Sequence, residues 1–289
     1  MKNRLPIWFR QKLPSSEAKL FSNTLQKKFG LNTVCHSARC PNTSHCFSNK
    51  HATFLILGNH CTRNCRFCAI EQSSIFEQKE PYAFFVDKDE PQRVARACNY
   101  FNLEYVVITS VNRDDLSDGG VGHFVDTINE VRKFNPLAKI EILIPDFMGQ
   151  IDALEKVVRA HPQVISHNLE TVKRIFPFVR DKASYKRSLE VLRNIKYINP
   201  NQTTKSSIML GLGELGKDLE ESLRDLREVQ CDMLVLGQYL RPSLSQCSVE
   251  KFYSPEEFEY WKEFAYGLGF RNVCALPLAR TSYQMKTQL

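Results

Sequence analysis

Gly58-Asn59-His60-Cys61-Thr62-Arg63-Asn64-Cys65-Arg66-Phe67-Cys68 is a C-x3-C-x2-C array that directly follows a short β-type apolar run. Three thiols this close can grip one metal centre, and three leave a coordination site open. A structural zinc site normally closes with four ligands, whereas a cubane iron–sulfur cluster on three thiolates keeps one iron free for a substrate or cofactor. The spacing therefore points to chemistry at a fourth iron. The competing reading is a zinc loop that borrows a ligand such as His60.

A second triad, Cys35, Cys40 and Cys46, lies fifteen residues upstream in C-x4-C-x5-C spacing. Two triads so near each other permit a pair of zinc knuckles completed by His36, His45, His51 or His60. Against this, the two spacings differ and neither has the paired C-x2-C form of a zinc ribbon.

Outward from the array, apolar β-rich runs predict six strands, at 52–58, 105–111, 139–145, 164–169, 206–211 and 233–240. Helical patterns fall between them, at 90–101, 121–134, 152–160, 183–194 and 218–229. Asp218 followed by Glu221 has the look of a capped helix start. The sustained alternation of strand and helix implies a parallel sheet with right-handed crossovers. In such folds reactive groups collect at the carboxyl ends of the strands. The first run ends at the array, the second at Asn112, Arg113 and Asp114, the third at Asp146, the fourth at Asn168 and Glu170, and the sixth at Gln238, Tyr239 and Arg241. Any one of these polar residues is explained by an ordinary turn; their recurrence at strand after strand is the argument.

Composition fits a folded enzyme: 289 residues, 43% hydrophobic, are enough for one large domain or two small ones. Ten cysteines without a signal peptide favour reduced thiols and a cytoplasmic location. The opening residues are basic and lack acids until Glu17, as in a transit peptide. No run approaches the roughly twenty apolar residues of a membrane span. Lys and Arg exceed Asp and Glu by 39 to 32, a formal charge of +7, but no Lys/Arg stripe interleaved with aromatics marks a nucleic-acid surface. Cys98, Cys231 and Cys274 sit in apolar surroundings and read as small buried hydrophobes, Cys247 as an exposed loop residue.

With Phe67 just before its last cysteine, the array resembles the signature of the radical S-adenosylmethionine (SAM) enzymes. In that superfamily the open iron is chelated by SAM, and one electron cleaves the cofactor to methionine and a 5′-deoxyadenosyl radical. Taken with the upstream triad and with Arg280-Thr281-Ser282-Tyr283 near the end of the chain, the sequence resembles the lipoyl synthase family. That family holds an auxiliary four-iron cluster on C-x4-C-x5-C cysteines and on a serine of a C-terminal R-S-S-Y motif. Thr281 stands at the first serine, so the ligand role carries over to Ser282, with Arg280 and Tyr283 as motif support. Val111 to Leu116, Asp118-Gly119-Gly120, Ile144 to Phe147, His167 to Thr171, Thr204-Lys205-Ser206 and Gly237 to Leu240 look like further family blocks in the family's order. Residues 4–14 are similar to its mature N-terminal segment, which argues against a cleaved leader.

The resemblance implies an α/β fold, a partial (β/α)6 barrel of the radical SAM type. Its core would be residues 51–245, with an N-terminal extension, 1–50, carrying the auxiliary-cluster cysteines, and a C-terminal extension, 246–289, closing the barrel. It implies two 4Fe-4S clusters and SAM as cofactors: Cys61, Cys65 and Cys68 for the SAM-binding cluster, and Cys35, Cys40, Cys46 and Ser282 for the auxiliary one. Candidate SAM contacts are Phe67, Asn112, Asn168, Glu170, Arg187 and Gln238, Arg187 being suited to the cofactor's carboxylate as a planar bidentate donor. Gly211-Leu212-Gly213-Glu214 is either an approach to adenine or a plain strand-to-helix turn. The implied reaction inserts two sulfur atoms at C6 and C8 of an octanoyl chain on a carrier lysine. The implied partners are octanoylated carriers (lipoyl domains of 2-oxoacid dehydrogenases and the glycine cleavage H protein), an electron donor such as ferredoxin or flavodoxin, and an iron–sulfur carrier that rebuilds the spent cluster. No nucleic acid is among them. Biotin synthases and methylthiotransferases share the C-x3-C-x2-C array but lack the flanking triad and C-terminal motif.

Overall fold

The structure is a computed structural model that describes residues 5–11, 13–72 and 85–282. Tyr283 lies outside the described residues. Each of the six expected apolar runs forms a strand of one sheet: β1 Thr53–Ile56, β2 Tyr105–Ser110, β3 Lys139–Leu143, β4 Val164–Ser166, β5 Thr203–Leu210 and β6 Met233–Gln238. They pair in chain order and all in parallel, with Phe54 opposite Ile108, Ile142 opposite Ile165 and Val235 opposite Ser207. Strands covered on both faces read as continuous apolar runs, which is why the sequence announces them.

The sheet has two strands more than the six expected. β7, Asn272–Leu276, continues it in parallel beside β6, and the two-residue strand Asn32–Thr33 adds antiparallel to β1 at the other edge. Among the described residues no ladder joins the two edges, so the curl remains a partial barrel.

Helices Glu90–Tyr100, Val121–Phe134, Ile151–Arg159, Tyr185–Ile198 and Gly216–Glu228 follow β1 to β5 in turn. Their apolar faces pack on the sheet: Val94, Phe124, Ile128 and Leu154 join Ile140 and Ile142 in one core, and Leu192, Leu219 and Leu223 join Ile208 and Leu236 in another. Between Ile140 and Ile142, Glu141 faces the other way, into the curl, where it meets Tyr105, Ser166 and Lys205. The interior thus carries a polar layer at this level. Asp218 is not the first residue of its helix: it is the third, within the first turn, and its carboxylate accepts the Leu215 N–H at 2.9 Å.

The turn out of β1 is built by side chains distant in sequence. Leu57 has φ +66°, an unusual value for a branched side chain. Its N–H donates to the Glu90 carboxylate at 2.8 Å, and Glu90 also meets His123 at 2.7 Å. Gly120 makes room for it, since a Cβ there would lie 2.3 Å from Leu57 Cδ1. Among the described residues no helix is long and apolar enough to cross a membrane.

Candidate functional site

The two thiol groups lie at opposite ends of β1. At its carboxyl end, Cys61 belongs to a two-residue strand, His60–Cys61, paired with Glu71–Gln72. Cys65 is buried, and the Cys68 N–H closes a turn on the Cys65 carbonyl at 3.0 Å. Arg63, buried between the cysteines, holds the loop down: its guanidinium donates two bonds to Asp114 at 2.7 and 2.8 Å and two to Asp146 at 2.6 and 3.1 Å. Bidentate pairs of this kind fix geometry as well as adding energy. The Thr62 N–H and hydroxyl donate to the Asn112 carbonyl, Asn64 N–H to Asp181, and Arg66 N–H to the Val179 carbonyl. The loops after β2 and β3 and the 179–182 segment thus grip the thiol loop together.

Glu170 lies close enough to Cys65 and Cys68 for its charge to add to the rise in their pKa, and it lies 3.7 Å from Arg180; burial raises its own pKa, against the pull of Arg180. Asn168 donates to Glu170 at 3.1 Å. Of the other candidate contacts, Arg187 donates to Asp146 at 3.1 Å, joining the Arg63 cluster, and Phe67 packs against the second apolar core. Gln238 is fully buried and its amide is committed to backbone, donating to the carbonyls of Leu210, Tyr239 and Lys251 and accepting from Tyr253. The glycine-rich turn after β5 closes on itself, the Glu214 carboxylate accepting the N–H groups of Gly211 and Leu212.

At the amino ends of β1 and β2, one cavity is lined by Cys35, Cys40 and Cys46 together with Arg280 and Ser282 from the far end of the chain. Cys35 sits on the short helix Val34–Ser37 and Cys46 on Thr43–Ser48, the intervening loop closed by the Thr43 hydroxyl donating to the Cys40 carbonyl at 2.7 Å. The C-terminal arm reaches this cavity by crossing β6. Asn42 donates its amide to the Leu278 carbonyl at 2.6 Å, and the Thr53 hydroxyl donates to Ser282 Oγ at 2.6 Å. Gly237 permits the crossing: a Cβ there would meet the Ala279 carbonyl oxygen at 2.1 Å. Gly237→Ala is therefore expected to displace the arm and destabilise the fold by about 1–3 kcal/mol, the usual cost of overpacking, read as a lowered denaturation midpoint.

Burial pushes Cys35, Cys46 and Cys68 up to about 12, with neighbouring thiols adding to the rise. Thiols are ligands only as thiolates, so a cluster taken up here would have to draw off their protons. Among the described residues no set of three or more His, Cys, Asp or Glu side chains is drawn together closely enough for a single metal ion. Three cysteines lining one cavity with Ser282, and three more in one short loop, are donor sets of the kind that hold iron–sulfur clusters.

Sequence reasoning missed Arg63, Glu90, Glu141 and Thr53. Each makes its site contact with a residue more than thirty positions away, and nothing local marks them.

The Radical SAM superfamily profile matches residues 55–226. The chain is 47% identical to the lipoyl synthase of Caldanaerobacter subterraneus subsp. tengcongensis, over 97% of its own length and 95% of that protein's. It is also 47% identical to the lipoyl synthase of Methanocella arvoryzae, over 98% and 94%. Among solved structures, methylornithine synthase matches with a TM-score of 0.55 at 15% identity, covering 80% of this chain and 74% of that one. Coproporphyrinogen III oxidase of Escherichia coli, a radical SAM enzyme, matches with a TM-score of 0.54 at 15% identity, over 74% and 53%. These two share the fold. Identity of 47% over nearly the whole length of the curated relatives, on a curl of parallel strands with one thiol loop after β1 and a second thiol group in one cavity with Ser282, shows that the chain belongs to the lipoyl synthase family of the radical SAM superfamily.

Proposed function

We propose that Cys61, Cys65 and Cys68 hold the SAM-binding 4Fe-4S cluster and that Cys35, Cys40, Cys46 and Ser282 hold the auxiliary one. The enzyme is a lipoyl synthase, a sulfurtransferase that inserts two sulfur atoms at C6 and C8 of an octanoyl group on a carrier lysine. When bound, the clusters and SAM supply hydrogen-atom abstraction and the sulfur itself, chemistry that no acid–base group commands at an unactivated C–H bond.

The protein's residues position and enclose. Arg63, fixed by Asp114 and Asp146, holds the first thiol loop in register with the strand ends. Glu170, with its pKa raised by burial, and Asn168 stand beside that loop and are the favoured contacts to the amino and ribose groups of SAM. Arg187 is a carboxylate contact only by exchanging Asp146 for the cofactor, and Gln238 serves as wall rather than ligand. Asn112 acts through its carbonyl on Thr62, and Phe67 through packing. The octanoyl chain would lie between the two ends of β1.

The observation that carries this reading is the meeting of three N-terminal cysteines with Ser282 in one cavity. We take 1–50, 51–245 and 246–289 as extension, core and closing segment, with β7 in the last. The favoured carriers are lipoyl domains and the glycine cleavage H protein, with a ferredoxin or flavodoxin as electron donor, an iron–sulfur carrier for rebuilding, and the cytoplasm as the setting. Anaerobic incubation of the reconstituted protein with SAM, a strong reductant and an octanoylated carrier domain should add two sulfurs and remove two hydrogens, read by intact mass. An unchanged carrier despite release of 5′-deoxyadenosine would reject these carriers and require another substrate.

A further inference from the structure

We propose that the buried Lys205–Glu141 pair, acting through Thr281, fixes where Ser282 presents its hydroxyl, making Lys205 and Thr281 positioning residues for the second cluster site; this rests on the reading of Ser282 as a ligand. Lys205 occupies β5 and Glu141 β3, both with no exposed side-chain surface, and their charged atoms are 2.5 Å apart. A buried pair of charges is seldom a source of net stability, since desolvation offsets the attraction, so its retention asks for a geometric reason.

That reason is the chain of contacts the pair completes. Glu141 is itself held, accepting the Tyr105 hydroxyl at 2.7 Å and the Ser166 hydroxyl at 2.8 Å. A fixed carboxylate orients the ammonium, which donates to the Thr281 backbone carbonyl at 2.9 Å. The same residue is gripped by its side chain. Asn168 donates to the Thr281 hydroxyl at 2.9 Å, and that hydroxyl also lies 3.2 Å from the Asn168 amide oxygen.

Thr281 is thus held at both its carbonyl and its hydroxyl, one residue before Ser282. The next hydroxyl along the chain, Ser282 Oγ, is placed 2.6 Å from the Thr53 hydroxyl on the wall of the thiol cavity. Threonine serves here as well as serine, because the contact uses the hydroxyl, while the extra methyl restricts the rotamer. Asn168 also donates to Glu170, whose charge is felt by Cys65, so one amide touches both the arm that carries Ser282 and a residue near the first thiol loop.

The test uses the full chain with Cys61, Cys65 and Cys68 replaced by alanine, so that only the second triad takes up iron. Lys205→Met, Thr281→Val, Thr281→Ser and Ser282→Ala are compared in that background. Two quantities are read: amide hydrogen exchange over 279–282 in the cluster-free protein, and the electron paramagnetic resonance spectrum of the reduced cluster after reconstitution. Lys205→Met and Thr281→Val should speed exchange over the arm about tenfold or more, as loss of a buried hydrogen bond does. Their cluster spectrum should move toward that of Ser282→Ala, whereas Thr281→Ser should keep the parent's exchange and spectrum.

Parent-like exchange and spectrum in Thr281→Val, with an altered spectrum in Ser282→Ala, would overturn the positioning role and leave the ligand reading intact. An unaltered spectrum in Ser282→Ala would remove the ligand reading and the positioning role with it. Thr281→Val is nearly isosteric, so it decides the matter even if Lys205→Met fails to fold.

Discussion

Cys65→Ala is expected to abolish release of 5′-deoxyadenosine from SAM, if the first triad holds the SAM-binding cluster as proposed. Two thiolates remain in the loop, at Cys61 and Cys68, too few to keep a cubane with one iron open. Cys65 is the buried member of the three, so water has little access to replace it. The fold is expected to survive, because the loop's hold on the barrel comes from Arg63 on Asp114 and Asp146 and from Asn64 and Arg66 on the 179–181 segment, none of which uses the thiol. Iron per chain should fall to about half after reconstitution, since one four-iron site of two is lost. Chromatography of the nucleoside product, beside iron analysis and a thermal melt, checks all three points. Continued nucleoside release at the parent rate, with the melt unchanged, would take the first triad out of its assigned role.

Much of this was legible because the decisive signals are local. Cysteine spacing marks a thiol loop within a few residues, and parallel strands buried on both faces declare themselves as apolar runs, as at Tyr105–Ser110 and Met233–Gln238. What stayed hidden depends on partners far apart in the chain. Arg63 looks like an ordinary loop arginine until Asp146, eighty-three positions on, is folded against it. Lys205 looks like a flaw in a strand until Glu141 is seen beneath it. Gly237 reads as a weak point in β6, yet the approach of Ala279 forbids anything larger. β7 is not marked as a strand by the sequence because its run is short and, among the described residues, no strand follows it to continue the alternation. Of the two triads, only the first follows the rule that reactive groups gather at carboxyl strand ends, together with Asp114, Asp146 and Glu170. The second sits at the amino ends of β1 and β2, where the short helices of the N-terminal segment place it.

That separation should let the two sites be damaged independently, and Cys46→Ala is expected to give the complementary phenotype. Cys46 lies on the helix Thr43–Ser48, where alanine is well tolerated, and Phe47 beside it anchors that helix in the first core. The helix therefore persists while the cavity loses one of its three thiols. The first triad, beyond the other end of β1, keeps its ligands and its Arg63 clamp, so SAM is still cleaved when a reductant is supplied. What disappears is the source of sulfur. The carrier should emerge with no gain of sulfur mass while 5′-deoxyadenosine accumulates, a split that neither a folding defect nor a general loss of iron produces. Sulfur-bearing carrier formed by Cys46→Ala at the parent yield would mean that the sulfur comes from elsewhere and that the second triad is structural. The paired measurement, nucleoside and carrier mass from one reaction, assigns each thiol group its half of the chemistry without relying on the spectroscopy of either cluster.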